Sequence, residues 1–181
     1  KLIDTNTGRH PKVWVAVGNY TNVRDGHNEP FIMEDGVQVF GGFEGVEDPH
    51  YDLSQRNMIG TVLDAQNSNR CLYQNTNFDT SSTWDGFVLK NGYIDGNGAG
   101  AYLRKNGALK NVTFYYCDAT GNGGGLYTVD SSYVQADFFG CKATNGGGAF
   151  VKDAILDKCR FLYDTATVNG GAIYASESYI V

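Results

Sequence analysis

Phe114-Tyr-Tyr-Cys117, Ala119-Thr120 and Gly124-Gly-Leu-Tyr127 form the first of three near copies. Phe138-Phe-Gly-Cys141, Ala143-Thr144 and Gly147-Gly-Ala-Phe150 form the second. Phe161-Leu-Tyr-Asp164, Ala166-Thr167 and Gly170-Gly-Ala-Ile173 form the third. A fixed period in the twenties decides the architecture before any local reading, because each unit is too small to bury a core alone. The period reaches further in both directions. Trp84 to Leu89 stands to Gly100-Ala-Tyr102 as Leu109 to Phe114 stands to Gly125-Leu-Tyr127, at an offset of 25 residues. Tyr133 to Phe138 and Leu156 to Phe161 continue at offsets of 24 and 23, and Tyr179 opens a fifth copy.

Two repeat architectures have units this short. A leucine-rich repeat needs Leu in a fixed frame followed by Asn or Cys, and that frame is absent. A parallel β-helix needs three short strands per coil with turns between them, and each unit supplies them. One strand is Val112-Thr-Phe114 and its equivalents, a second surrounds Cys117 to Ala119, and a third is Leu126-Tyr-Thr128. The expected fold class is all-β, a right-handed parallel β-helix (solenoid) with about 23–25 residues per coil and about four regular coils.

Side chains alternate across a strand, so the repeat also assigns faces. The columns Phe87, Val112, Ala136, Cys159 and Leu89, Phe114, Phe138, Phe161 are expected inside. Val88, Thr113, Asp137 and Arg160 are expected outside, with Asp137 and Arg160 forming a surface ion pair. Ala119, Ala143 and Ala166 mark a narrow part of the coil. Asn97, Asn122 and Asn145 align ahead of the glycines, where stacked amides can hydrogen-bond from coil to coil.

Composition agrees. Among 181 residues there are 24 Gly, 12 Tyr and 10 Phe but only 3 Pro, which suits many short strands and tight turns. The net charge of −6 argues against a nucleic-acid partner or an anionic membrane surface. No apolar run approaches the roughly 20 residues of a membrane-spanning helix, so this segment is not expected to span a membrane. Neither end reads as a boundary of the pattern, and the chain is taken as a fragment of a longer protein. Within one domain, residues 1–83 read as N-terminal coils with irregular loops and residues 84–181 as regular coils. In the first part, Val13 to Val17, Phe31 to Met33, Val37 to Phe40, Ile59 to Leu63 and Cys71 to Tyr73 are strand-forming. Cys117 and Cys141 would stack about 4.8 Å apart on parallel strands. That exceeds the Cβ separation of roughly 3.5–4.5 Å that a disulfide requires. They read as small apolar residues in one column, and Cys71 and Cys159 offer no obvious pairing.

Phe161-x-x-Asp164-x-Ala166-x-x-x-Gly170-Gly-Ala-Ile173 resembles the repeat of the chlamydial polymorphic outer-membrane proteins, in which Phe-x-x-Asn and Gly-Gly-Ala-Ile recur in this order. Val13 to Tyr20, Val37 to Gly45 and Thr61-Val-Leu-Asp64 resemble coils of secreted β-helix proteins of Bacteroidetes-type bacteria. The resemblance implies a right-handed parallel β-helix, secretion to the bacterial cell surface and, for the chlamydial members, adhesion. Cys117, Cys141 and Asp164 stand where the repeat has Asn, and no functional residue is carried over.

Chemistry is sparse. Asp130 and Asp153 align at a spacing of 23 and could share a cation, although two solvated turn residues are the plainer reading. His10, His27 and His50 fall in the N-terminal third. Asp25, His27 and Glu29 alternate in one polar loop without a second ligand set. Past Phe114 the outward column is Tyr115, Phe139 and Leu162, preceded by Lys90, and Tyr116 and Tyr163 could extend it toward a sugar-stacking platform. Packing against a loop or a further domain would explain the same column. The expected function is a non-enzymatic, adhesin-like or structural module that binds a protein or glycan of a host or neighbouring cell, extracellularly or at the outer membrane, with no cofactor. The alternative is a polysaccharide lyase, a glycoside hydrolase or a carbohydrate-binding module on the same fold. Glycoside hydrolysis generally needs two facing carboxylates, and fold alone does not choose between these readings.

Overall fold

The computed structural model describes residues 11–24, 26–48 and 51–181. Its strands wind into a parallel β-solenoid of about seven turns. Three faces run along the axis. The long face stacks Lys12–Ala16, Gln38–Phe43, Ser82–Lys90, Gly107–Tyr115 and Tyr133–Phe139. A short face stacks Tyr93–Ile94, Asp118–Ala119, Lys142–Asn145 and Thr165–Asn169. The third face stacks Phe31–Ile32, Leu72–Tyr73, Ala101–Leu103, Leu126–Thr128, Ala149–Lys152 and Ile173–Ser176.

Register follows the repeat on the long face, but on the third face the last copy slips by one residue. An irregularity between Ala166 and Asn169 adds one position, so Ile173 pairs with Ala149 and Tyr174 with Phe150, where the sequence repeat aligned Ile173 with Phe150. Phe87 pairs with Val112 and Val112 with Ala136; Leu89 pairs with Phe114, Phe114 with Phe138 and Phe138 with Phe161. Phe114 and Phe138 are fully buried, with ring centroids 4.8 Å apart and planes 4° from parallel. Phe138 and Phe161 repeat this at 4.7 Å and 4°. Successive rings are therefore held at the strand spacing itself.

The opposite wall explains the glycines. A Cβ on Gly100 would lie 2.5 Å from the Phe114 ring, one on Gly125 2.7 Å from Phe138, and one on Gly148 2.5 Å from Phe161. Each phenylalanine is pressed against bare backbone. At Gly123 the reason is different. Its φ is +67°, and a Cβ there would meet the Leu126 carbonyl oxygen at 2.0 Å, so only Gly closes that turn.

The narrow part of the coil is also as expected. Ala119 and Ala143 are buried, and Ala143 pairs with Ala166. The amide ladder is continuous. Asn97 Oδ1 accepts from the Asn122 backbone N–H at 2.8 Å, and Asn145 Nδ2 donates to Asn122 Oδ1 at 2.8 Å. Asn169 Nδ2 donates to Asn145 Oδ1 at 3.0 Å, one rung beyond the three read from sequence. All four cysteines are free thiols, and Cys71, Cys117 and Cys141 are fully buried. A thiol contact with Cys141 pulls Cys117 down, but contact with Cys71 and burial outweigh it, so its pKa lies well above the ordinary value. Contact with Cys117 and burial push Cys141 up, and burial pushes Cys159 up to about 11. Neutral thiols of this kind pack as small apolar groups.

The irregular N-terminal coils obey the same register. Gln38–Phe43 pairs with the first half of Ser82–Lys90, and Thr61–Asp64 with the second half. The chain between Phe43 and Thr61 is thus an insertion into one strand position. Its return is anchored by Arg56, which is 7 % exposed, pairs with Asp85 Oδ1 at 2.7 Å and lies 5.1 Å over the Phe40 ring. One expectation fails beside it. Val88 was assigned to solvent but is buried. Arg56 and Met58 lie against Gly86, so part of the outward side of that coil is roofed by the insertion.

If the stacked rings hold the turns together, Phe138→Ala should cost about 3–5 kcal/mol, the usual cost of emptying a Phe site. Gly125→Ala should also destabilise, although it adds only a methyl group, because it pushes the Phe138 ring away. Urea denaturation followed by far-ultraviolet circular dichroism measures both; an unchanged midpoint for either variant refutes the interlock.

Candidate functional site

The long face ends at a corner where the backbone turns through the left-handed region. Four residues in successive coils occupy this corner: Asn91 at φ 56°, Tyr116 at 51°, Gly140 at 63° and Tyr163 at 61°. Asn and Gly are the residues such a conformation favours, because an ordinary side chain crowds its own backbone there. Tyrosine is not. Nor is the cost offset by burial, since Tyr116 is 67 % exposed and Tyr163 is 87 % exposed.

Just before the corner runs the predicted outward column. Tyr115 pairs in register with Lys90 and with Phe139, and Phe139 with Leu162. The Tyr115 and Phe139 rings stack at 5.0 Å and 15° and are half-buried, whereas Leu162 is exposed. Tyr116 lies 6.1 Å from Tyr115 at 41°, and its ring carbons would stand 2.9 Å from a Cβ on Gly140. Tyr116 therefore lies over the glycine of the next coil. The five residues singled out from sequence do gather in one region, as a stacked column edged by two projecting tyrosines.

The column starts from an ion pair. Lys90 Nζ lies 3.2 Å from Asp64 Oδ2, and Asp64 Oδ1 accepts from the Asn91 side chain at 2.9 Å and the Gln66 N–H at 3.0 Å. Burial raises the pKa of Asp64, but the Asn91, Gln66 and Lys90 contacts together outweigh it and leave it below the ordinary carboxylate value.

Immediately after the corner lies a shallow groove of about 390 Å³ on the short face. Asp118, Thr120, Lys142, Thr144, Thr165 and Thr167 line it, over the alanine column. The sequence reading named those alanines but did not follow the outward residues between them.

A second aromatic column was also missed. Tyr73, Tyr102, Tyr127, Phe150 and Tyr174 run along the third face. From Tyr102 onward they stack at 4.9, 5.1 and 5.0 Å, with planes within 27° of parallel, and Tyr73 meets Tyr102 edge-on at 5.6 Å. Arg70 lies 5.0 Å over Tyr73 and Arg104 5.3 Å over Tyr102. The signal was present, since each of the last four aromatics sits two residues after the position facing a phenylalanine or its equivalent.

Asp130 and Asp153 have a structural explanation. Both adopt positive φ, 63° and 52°, in a second left-handed corner shared with Asn106 and Glu177 at φ 62° and 52°, where Asp and Asn are tolerated. Among the described residues no group of three or more His, Cys, Asp or Glu could hold a metal ion. His27–Asn28 forms a small antiparallel pair with Val23–Arg24, while His10, Asp25 and His50 lie outside the described residues. Asp137 and Arg160 form the expected surface ion pair, with Arg160 Nε donating to Asp137 Oδ1 at 2.8 Å.

Compared with protein-family models, with curated proteins and with solved structures, the chain matches none of them.

Two outcomes follow. Tyr163→Asn should stabilise the protein by about 1 kcal/mol, because it relieves left-handed strain and gives up almost no packing; a lower melting temperature would contradict this. A lowered folded-state pKa at Asp64 means that the unfolded chain takes up the proton first as pH falls. Its contribution is complete above the unfolded value of about 3.9 and is lost as pH falls from there through the folded value. Asp64→Asn should therefore flatten the stability profile below about pH 4, as measured by denaturation midpoints between pH 2 and 7.

Proposed function

We propose that this chain is a non-enzymatic β-solenoid module of a secreted or outer-membrane bacterial protein, and that its left-handed corner carries the binding face. The resemblance of its repeat to the chlamydial polymorphic outer-membrane proteins and to secreted Bacteroidetes β-helix proteins supports an adhesin-like role. The observation that carries the reading is the pair Tyr116 and Tyr163. Both occupy a backbone conformation that disfavours them and both are largely exposed, Tyr163 at 87 % most of all. Strain retained at an exposed aromatic residue points to a role outside folding. Contact would be multi-point, along successive coils, with a protein or glycan on a neighbouring cell.

The enzymatic alternative needs convergent carboxylates. Asp130 and Asp153, the aligned pair in the sequence, sit in a turn that accounts for them.

Fluorescently labelled protein should bind intact epithelial or bacterial cells saturably. The Tyr116→Asn/Tyr163→Asn variant should lose at least tenfold in affinity while keeping the far-ultraviolet circular dichroism of the native fold. A panel of plant and bacterial polysaccharides should release no reducing ends or unsaturated products. Cleavage of any polymer, or equal cell binding by the variant, overturns the reading.

A further inference from the structure

We infer that the groove beside the tyrosine corner is an oligosaccharide subsite; this rests on the binding role proposed above and names its ligand class. Three rungs of the short face build it. Asp118 pairs in register with Lys142, and Lys142 with Thr165. The second lining column is Thr120, Thr144 and Thr167. At the strand spacing, three rungs extend about 10 Å along the axis. Each rung follows its corner residue by two positions, so Tyr116 precedes Asp118 and Tyr163 precedes Thr165. The tyrosines do not line the groove themselves but stand two residues ahead of its outer rungs in the chain.

The lining has the chemistry a saccharide requires. A sugar offers hydroxyls that both donate and accept, and threonine hydroxyls answer in either sense. Thr144 Oγ1 donates to the Thr120 carbonyl at 2.7 Å, while Thr120 Oγ1 donates to Asp95 Oδ1 at 2.6 Å and accepts from the Gly96 N–H at 3.0 Å, so Thr120 is engaged within the protein in both senses. Thr165 and Thr167 have no side-chain partner among the described residues. Asp118 and Lys142 stand on adjacent rungs and carry opposite charges, yet make no ion pair among the described residues. One acceptor-only group and one donor-only group are thus left exposed side by side. The alanine column keeps the floor shallow, and the faces of Tyr163 are open to the apolar side of a pyranose ring.

Other occupants fit less well. A peptide binding as an added strand needs a free sheet edge, but Lys142–Asn145 is paired on both sides, with Asp118–Ala119 and with Thr165–Asn169. An apolar helix needs an apolar groove, and this one is lined by hydroxyls and charges. A net charge of −6 disfavours nucleic acid.

The test is a glycan array probed with the whole chain, followed by titration calorimetry with the soluble oligosaccharide giving the strongest signal. Thr165→Val/Thr167→Val keeps the shape and strand propensity of both positions while removing their hydroxyls, and circular dichroism checks its fold. Lys142→Met is a second, independent probe. The expected result is binding by the wild-type chain with at least a tenfold weaker Kd in both variants. An array with no bound glycan overturns the subsite, as does an affinity changed less than threefold in both variants. Cell binding that survives periodate oxidation of surface sugars, together with an empty array, sinks the subsite and leaves the surface-binding role standing. Loss of all cell binding by the wild-type chain sinks both.

Discussion

The structure depends on one steric bargain: in three successive coils a phenylalanine ring is pressed against glycine backbone on the facing wall. Neither partner works alone. Without the ring, the wall has no side chain to fill the interior, and without the glycine the ring has no room. The clash distances of 2.5–2.7 Å at Gly100, Gly125 and Gly148 show how little slack there is. Close packing of this kind transmits any change in one coil to its neighbours. It also explains why the repeat is so rigid in sequence at Phe and Gly-Gly and so loose between them. Stacked rings at 4.7–4.8 Å and the amide ladder at the turn then fix the register between coils, one by apolar contact and the other by hydrogen bonds.

That constraint is what made the fold legible. Inward positions must repeat at the coil period, so Phe114, Phe138 and Phe161 could be superposed by counting residues. Asn97, Asn122 and Asn145 could be read as a ladder for the same reason. Outward positions carry no such obligation. Val88 is buried between Val62 and Thr113 in its outward column, and the outward side of the same strand is roofed at Gly86 by Arg56, tens of residues away, which pairs with Asp85. No local pattern encodes that contact. Asp130 and Asp153 look alike as a metal pair and as two left-handed turn residues, because both explanations ask for a carboxylate or an amide at a bend. Only the dihedral angles separate them. The candidate site was legible in part: the column Tyr115, Phe139, Leu162 follows from alternation, but the corner that sets Tyr116 and Tyr163 apart does not.

The two aromatic columns are not equivalent surfaces. From Tyr102 to Tyr174 the rings stack nearly face to face, so most of each face is covered by the next ring and edges are left toward solvent. Such a column stabilises the sheet, since each stacked pair contributes roughly 0.5–1.5 kcal/mol beyond burial. It offers little to a ligand that recognises ring faces. Tyr115 and Phe139 belong to the same class. Tyr163 does not, because it is 87 % exposed, and it stands in no stacked pair among the described residues.

A solenoid separates two kinds of demand along a single coil. Inside, the ring–glycine contact restricts residue type to a few apolar choices, with Leu89 standing in the phenylalanine column one coil earlier. At the corners, the backbone conformation dictates only a preference, worth about a kilocalorie per mole, and a preference of that size can be overridden without unfolding the protein. Asn91 and Gly140 obey it; Tyr116 and Tyr163 do not. Gly140 accommodates the Tyr116 ring lying over it, which gives Tyr116 a packing contact, whereas Tyr163 is 87 % exposed and has no stacked partner among the described residues. Tyr163 therefore belongs with the exposed hydroxyls and charges beside it, as part of a surface whose composition folding alone does not explain.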